Sequence, residues 1–506
     1  MSRRGFLAAG CAAACAGATG LLLPEKYARA AEQAKKLKIR VIYALHAEKQ
    51  AQPDWPNKGF DFVPVMDTID KTLAEHVPEM TFVRSLATGE EQAKKILADD
   101  TTAADIDGYI VYQLNCWNRV VQTVVTSGKP VLYCDFQFGG SGGFLVYTAG
   151  FLRSATPNLG FVASSNLEDV VASVKCFGTV KSPNEFAAVT AKVRQERTPG
   201  FENVPDTPDP VETLSPADCM EKLKECKILA VRDQESGPAD AFAGVPVERV
   251  SFAELNAAWE AADKNAAKAI VDKWYKGAAK IVGVPDNVLM DSAAMYLAEK
   301  AVMEKHNANA ITINCLGGFY GNHIHAYPCL GFHELNNEGL IGACECDVAS
   351  TASMVLFTAL TKGRPGYISD PVLDSSMRRI TYAHCVASNR PFGPKGDINH
   401  FEILTHSEDR QGASVRSILP VGYLTTTIQL SNDRKEMLFH QGKVIANDPD
   451  DRACRTKLAA EPVGDFEKMF TQWDKWSWHR VTCYGDLKKP VFDLADAMGY
   501  KVIEEA

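Results

Sequence analysis

Beyond its N-terminus the 506-residue chain contains no run of eighteen or more apolar residues, so no integral membrane domain is expected. Its cysteines fall into no paired CxxC framework, which removes the common structural zinc modules. There is no GxxxxGK[ST] phosphate loop, no short fixed-period repeat and no low-complexity tract, so nucleotide-driven and solenoid architectures find no support. Positive charge is also short: 54 Lys and Arg stand against 63 Asp and Glu, a net of −9. A chain this acidic repels phosphate, which argues against nucleic acid or anionic lipid as a partner.

What is present begins with a patterned N-terminus. Arg3 and Arg4 precede Gly5, Phe6 and Leu7, an Ala/Gly-rich stretch, and the small-residue motif Ala28-Arg29-Ala30. This is the layout of a twin-arginine export signal over residues 1–30, with a periplasmic or extracytoplasmic destination expected. That route carries folded chains and suits proteins that take up a metal or cofactor before export. Of the fourteen cysteines, Cys11 and Cys15 lie in this segment. The others sit mostly in apolar runs such as "ITINCLGG" and "PVLYCDF", as small buried hydrophobes do, although export leaves room for a disulfide.

From Leu37 onward, short β-branched runs alternate with helical stretches: "KIRVIYALH", "DTIDKTLAEH", "EMTFVRSL", "EEQAKKILADD", "IDGYIVYQL". The alternation predicts a parallel sheet with helices on both faces, ending near residue 178, and a ligand crevice at the carboxyl ends of its strands. The Pro-, Asp- and Glu-rich "RQERTPGFENVPDTPDPVETLSP" marks a linker or insertion. A second α/β set follows, with strands at "CKILAVRD", "VERVSF" and Asn309 to Cys315. From about His400 the texture becomes strand-rich without helical period, as in an antiparallel barrel or sandwich. The expected fold class is therefore α/β: two tandem doubly wound domains (31–178 and 179–350) followed by a β-rich domain (351–506).

Several motifs admit ordinary roles. "GGSGG" at Gly139 to Gly143 follows a strand without a nearby Lys, which favours a turn or a close backbone approach over phosphate binding. His323 and His325 fit either a metal pair on one strand face or loop histidines packed near a ligand. Glu345, in "LIGACECDVAS", is harder to dismiss. A carboxylate inside an apolar run is costly to bury unless it is hydrogen-bonded, paired or bound to metal, and this run offers no local cation. Asp347 is well placed to cap the helix that follows. Asp370 lies where the chain returns extended after that helix, so both Glu345 and Asp370 can face one crevice, and hard cations take such oxygens. His479, beside Trp476 and Trp478, fits a packed histidine by its own context.

The blocks "YPCLGFHELNNEGLIGACECDVASTASMVLFTALTKGRPGYISD", "RITYAHC", "LTHSEDRQGASVRSILPVGYLTTTIQL" and "WHRVTCYGD" resemble the L-fucose isomerase superfamily, in particular its shorter fucose/arabinose isomerase-like sugar isomerases. The matching blocks lie between Asn309 and Asp486, and the N-terminal half agrees only in α/β texture. The resemblance implies that Glu345, Asp370 and His479 bind a divalent ion, usually Mn²⁺, and that Glu345 and Asp370 transfer protons between neighbouring sugar carbons through an ene-diol. It also implies a monosaccharide substrate and a homo-oligomer. Aromatic faces at Trp478, Phe319 and Tyr320 are candidates for packing on the sugar. The rival expectations are a non-catalytic carbohydrate-binding protein and a metal-dependent sugar epimerase.

Overall fold

Five strands, β1 (Leu37–Ala44), β2 (Met80–Ala87), β3 (Gly108–Gln113), β4 (Val131–Asp135) and β5 (Leu159–Val162), form a wholly parallel sheet in the order 2-1-3-4-5. The computed structural model describes residues 36–202 and 205–506, and the expected export signal lies outside them. Strand β3 is buried at every position whereas the edge strand β2 is partly exposed, as helices covering both faces of a sheet require. The helix Val63–His76 buries Met66, Ile69 and Leu73, a three- and four-residue spacing that puts one apolar stripe inward. A Cβ on Gly160 of β5 would lie 2.1 Å from Thr190 Oγ1, so a side chain there would push away the helix Phe186–Arg197.

The second sheet contains β6 (Ile228–Arg232), β7 (Gly237–Phe242) and β8 (Val245–Ser251). After β9 (Lys280–Val282), which belongs elsewhere, it is completed by β10 (Ala310–Ile313) and β11 (Ile341–Cys344), in the order 11-10-6-8-7. All its pairings are parallel except that of β7, an antiparallel edge. The strand expected over Asn309 to Cys315 stops at Ile313, and Cys315 opens the short helix Cys315–Tyr320. Polar Asn314 ends the apolar run there.

The remaining strands are β12 (Tyr367–Asp374), β13 (Arg379–His384), β14 (Phe401–Leu404), β15 (Ser414–Ser417), β16 (Leu424–Ser431), β17 (Glu436–Asn447), β18 (Thr456–Val463), β19 (Arg480–Tyr484) and β20 (Lys501–Glu504). Strands 16-19-12-13-18-17 pair antiparallel in sequence and β17 pairs back to β16, closing a barrel. Strand β20 adds parallel to β17. Strands β14 and β15 join β9 in a small sheet that ties this region to the second α/β unit. The Pro-rich linker is anchored where the Arg364 guanidinium donates to both oxygens of Asp209, at 2.5 and 2.8 Å. Residues 37–506 accordingly make one compact unit.

The barrel interior is polar at its centre. Tyr382 of β13 accepts a hydrogen bond from Thr427 Oγ1 of β16 at 3.1 Å, a contact between strands that are not neighbours in the ring. The Tyr382 hydroxyl lies 2.7 Å from His440 Nε2, and His440 Nδ1 donates to Glu505 at 3.0 Å. Arg480 closes the chain with bonds to both Glu505 oxygens at 3.1 and 2.6 Å. Burial would raise the Glu505 carboxyl, but Arg480 and His440 outweigh it and hold the group at about 2. Because this value is depressed, the stabilisation is complete above the ordinary value of 4.5 and is lost as pH falls through about 2. Glu505→Gln strands Arg480 in the barrel, at an expected cost of roughly 3–5 kcal/mol. Chemical denaturation at neutral pH measures this loss, and the gap between the two proteins should narrow as the solution is acidified below pH 4.5.

Candidate active site

The strand-to-helix turn after β11 delivers Glu345. Both Glu345 and Cys346 adopt left-handed backbone, φ 65° and 52°, a conformation that costs about 1–2 kcal/mol for each non-glycine residue. The Cys346 N–H fixes the turn on Ile313 O of the neighbouring strand at 3.0 Å. Asp347 then caps the helix Val348–Leu360, accepting from Ser350 N at 3.0 Å. The sharp turn lifts the Glu345 side chain out of the apolar run and leaves a third of it open to the cleft.

The barrel supplies the other groups by register. Ser369 of β12 pairs with Arg480 of β19, which sets Asp370 beside His479. Asp370 itself pairs with Ala383 of β13, which puts His384 one residue further on. One ligand atom from each of Glu345, Asp370, His384 and His479 falls within 4.8 Å of the others, the reach of a single cation's coordination sphere. His479 Nε2 lies 3.4 Å from Glu345 and 3.2 Å from Asp370. His384 Nε2 lies 3.7 and 3.9 Å from the same two carboxylates.

Two features fit this set to a divalent ion. His384 is only 3% exposed, yet neither ring nitrogen makes a hydrogen bond to any described residue, so a buried imidazole faces the two carboxylates without a hydrogen bond to either. His479 Nδ1 donates to Asp347 Oδ2 at 2.8 Å, which orients the ring so that Nε2 faces Glu345 and Asp370. The charges are mutually dependent. Burial would push Glu345 up, but His479 and His384 outweigh it and hold the carboxyl below its ordinary range. Burial would depress His479, but Asp370, Glu345 and Asp347 carry it well up.

A cleft of about 690 Å³ opens onto Glu345, Asp370 and His479. The first α/β unit contributes Trp55 and Trp117 from segments that follow β1 and β3, so the crevice does lie at carboxyl ends of parallel strands. The Trp478 ring stands 4.9 Å from Trp55 and 6.1 Å from Trp117, and its Nε1 donates to Pro371 O at 2.8 Å. Gly142 of "GGSGG" makes room for this wall, since a Cβ there would come within 2.5 Å of the Trp478 ring. Tyr320 lines the cleft, whereas Phe319 stacks on Tyr327 with centroids 3.8 Å apart.

Of the residues singled out in the sequence, Glu345, Asp370 and His479 meet in one cluster. His323 and His325 do not join it and pack instead on Phe252 and Trp259. His384, Trp55, Trp117 and the second role of Asp347 are additions from the structure. The twelve cysteines of the described residues are all free and buried.

Two parallel-sheet α/β units and a closed barrel thus converge on a carboxylate–imidazole cluster able to hold a divalent cation. No protein-family profile matches the chain. It is 26% identical over 213 residues to a sulfoquinovose isomerase of Clostridium sp. (strain MSTE9), covering 40% of this chain and 46% of that one. A sulfoquinovose isomerase of Alkalicoccus urumqiensis is 29% identical over 103 residues, 20% of this chain and 23% of that one. The chain therefore spans less than half the length of these relatives. A solved solute-binding protein from Burkholderia multivorans aligns at 13% identity over 57% of this chain and 86% of its own, but its TM-score of 0.18 gives no basis for assigning the fold.

Elemental analysis of the purified protein should return about one divalent ion per chain, and Glu345→Ala/Asp370→Ala should abolish it. Asp347→Asn, which keeps a helix cap but loses the charge on His479, should weaken metal affinity about 10- to 100-fold in a chelator competition.

Proposed function

We propose that the protein is a metal-dependent aldose–ketose isomerase acting on a monosaccharide, of the fucose/arabinose isomerase-like type. The observation that carries this reading is the cluster of Glu345, Asp370, His384 and His479 at the floor of an aromatic-walled cleft. The partial matches to sulfoquinovose isomerases, enzymes of the same reaction class, support it. A divalent ion held there, Mn²⁺ being what the resemblance implies, would polarise the sugar carbonyl and its neighbouring hydroxyl and so acidify the carbon-bound proton.

Glu345 then takes that proton from one carbon of the open-chain sugar and returns it to the next, passing through an ene-diol. The two imidazoles beside it keep its carboxyl ionised at neutral pH, the state a base needs. Asp370 assists the movement of the hydroxyl proton between the two oxygens. Trp55, Trp117 and Trp478 pack on the apolar face of the sugar and exclude water from the reacting carbons. Among its described residues the cleft presents Asp54, Glu345, Asp370, Glu408 and Asp474 but no Lys or Arg. A sulfonate would meet repulsion from these carboxylates and no Lys or Arg to bind it, which favours a neutral sugar. We further propose that residues 1–30 direct twin-arginine export and that the chain works as a homo-oligomer.

Neutral aldopentoses and aldohexoses incubated with the protein in ²H₂O should yield the matching ketoses with solvent deuterium at carbon. Chelation should stop the reaction and Mn²⁺ should restore it. Glu345→Gln should slow turnover by about 10²–10⁴-fold with the fold intact; wild-type turnover in that variant would sink the mechanism.

A further inference from the structure

Sugars of this class rest in solution as closed rings, whereas the proton transfer assigned to Glu345 needs the open chain. A carboxyl outside the metal cluster is placed for that step. Glu408, on the loop between β14 and β15, lines the same cleft as Glu345, Asp370 and His479 and is only 9% exposed. It makes no ion pair among the described residues. Its Oε2 accepts a hydrogen bond from Tyr320 Oη at 3.0 Å, and its Oε1 takes none from any described residue. A buried carboxyl without a counter-ion, one oxygen held and the other unengaged in a cleft, is built to keep its proton and donate it.

We propose that Glu408 is the acid that opens the sugar ring: its carboxyl proton passes to the ring oxygen as the C1–O bond breaks and the C1 carbonyl forms. The electron pair of the broken bond stays on the ring oxygen, which becomes a hydroxyl. The proton of the anomeric hydroxyl leaves to water, and Glu408 regains a proton from water afterwards, so nothing is oxidised or reduced. This assignment rests on the isomerase reading above.

The surroundings of Glu408 agree. Burial is the main influence and pushes its carboxyl up to about 8, with Asp54 and Glu345 adding to the rise, while His406 and the Tyr320 hydroxyl pull the other way.

Ring opening has a readout of its own, because it exchanges the α and β anomers of the aldose whether or not isomerisation follows. Two-dimensional exchange NMR on L-arabinose with the metal-loaded protein should show anomer exchange accelerated by wild type but cut by about 100-fold in Glu408→Gln. The wild-type exchange rate should also fall as pH rises through about 8, as the acid loses its proton, a limb that needs no variant to be seen. Exchange in Glu408→Gln at the wild-type rate, or a wild-type rate flat through that pH, overturns the assignment. If wild type neither exchanges the anomers nor isomerises any neutral aldose, the isomerase reading falls and the Glu408 role with it. If wild type isomerises and Glu408→Gln does so equally well, only the Glu408 role falls.

Discussion

Everything in the candidate site depends on placing two carboxylates and two imidazoles within a few ångströms of one another at the edge of a closed barrel. Glu345 and Asp370 repel each other, and in a buried setting that repulsion is scarcely screened. His384 and His479 relieve it when protonated, and a divalent cation would relieve it more completely. The surrounding structure holds the four groups in place. Asp370 and His384 ride on β12 and β13, whose hydrogen-bonded register permits little drift, His479 stands directly before β19, and Glu345 is held by a turn in left-handed backbone.

That turn explains why a polar residue interrupts an apolar strand. Strand β11 is buried at all four positions, so a side chain that must leave the core has to do so abruptly. Two successive left-handed residues achieve this at a cost in backbone energy. Asp347 works on two sides, since one carboxylate secures the start of the helix Val348–Leu360 and also orients His479 from a distant part of the chain. Helix, turn and imidazole are thereby coupled through a single side chain.

Much of the fold was legible because its signals are local. Alternating β-branched runs and amphipathic helices identified both parallel sheets, and the apolar setting of Glu345 marked it as a residue with a partner elsewhere. The choice between barrel and sandwich was not legible, because closure rests on the pairing of β16 with β17 in addition to β19, a long-range fact. His384 was missed for a related reason. In "RITYAHC" it has the surroundings of any strand-end histidine, and only the offset of β13 against β12 brings it to Asp370. Trp55 and Trp117 were missed because strand ends far apart in sequence meet only in the folded sheet. The capping role of Asp347 was visible from the helix beside it, whereas its bond to His479 crosses most of the barrel domain.

The ring of strands also sets an order of events during synthesis. His479 is made after Glu345, Asp370 and His384, and the buried pair of Arg480 with Glu505 secures the strand that begins just after that histidine. A ribosome-bound chain whose residues 480–505 are still inside the exit tunnel has Glu345, Asp370 and His384 available but cannot yet fix the fourth group. The segment through Glu505 therefore acts as a latch, and a cation would find its complete site only once that segment has left the ribosome.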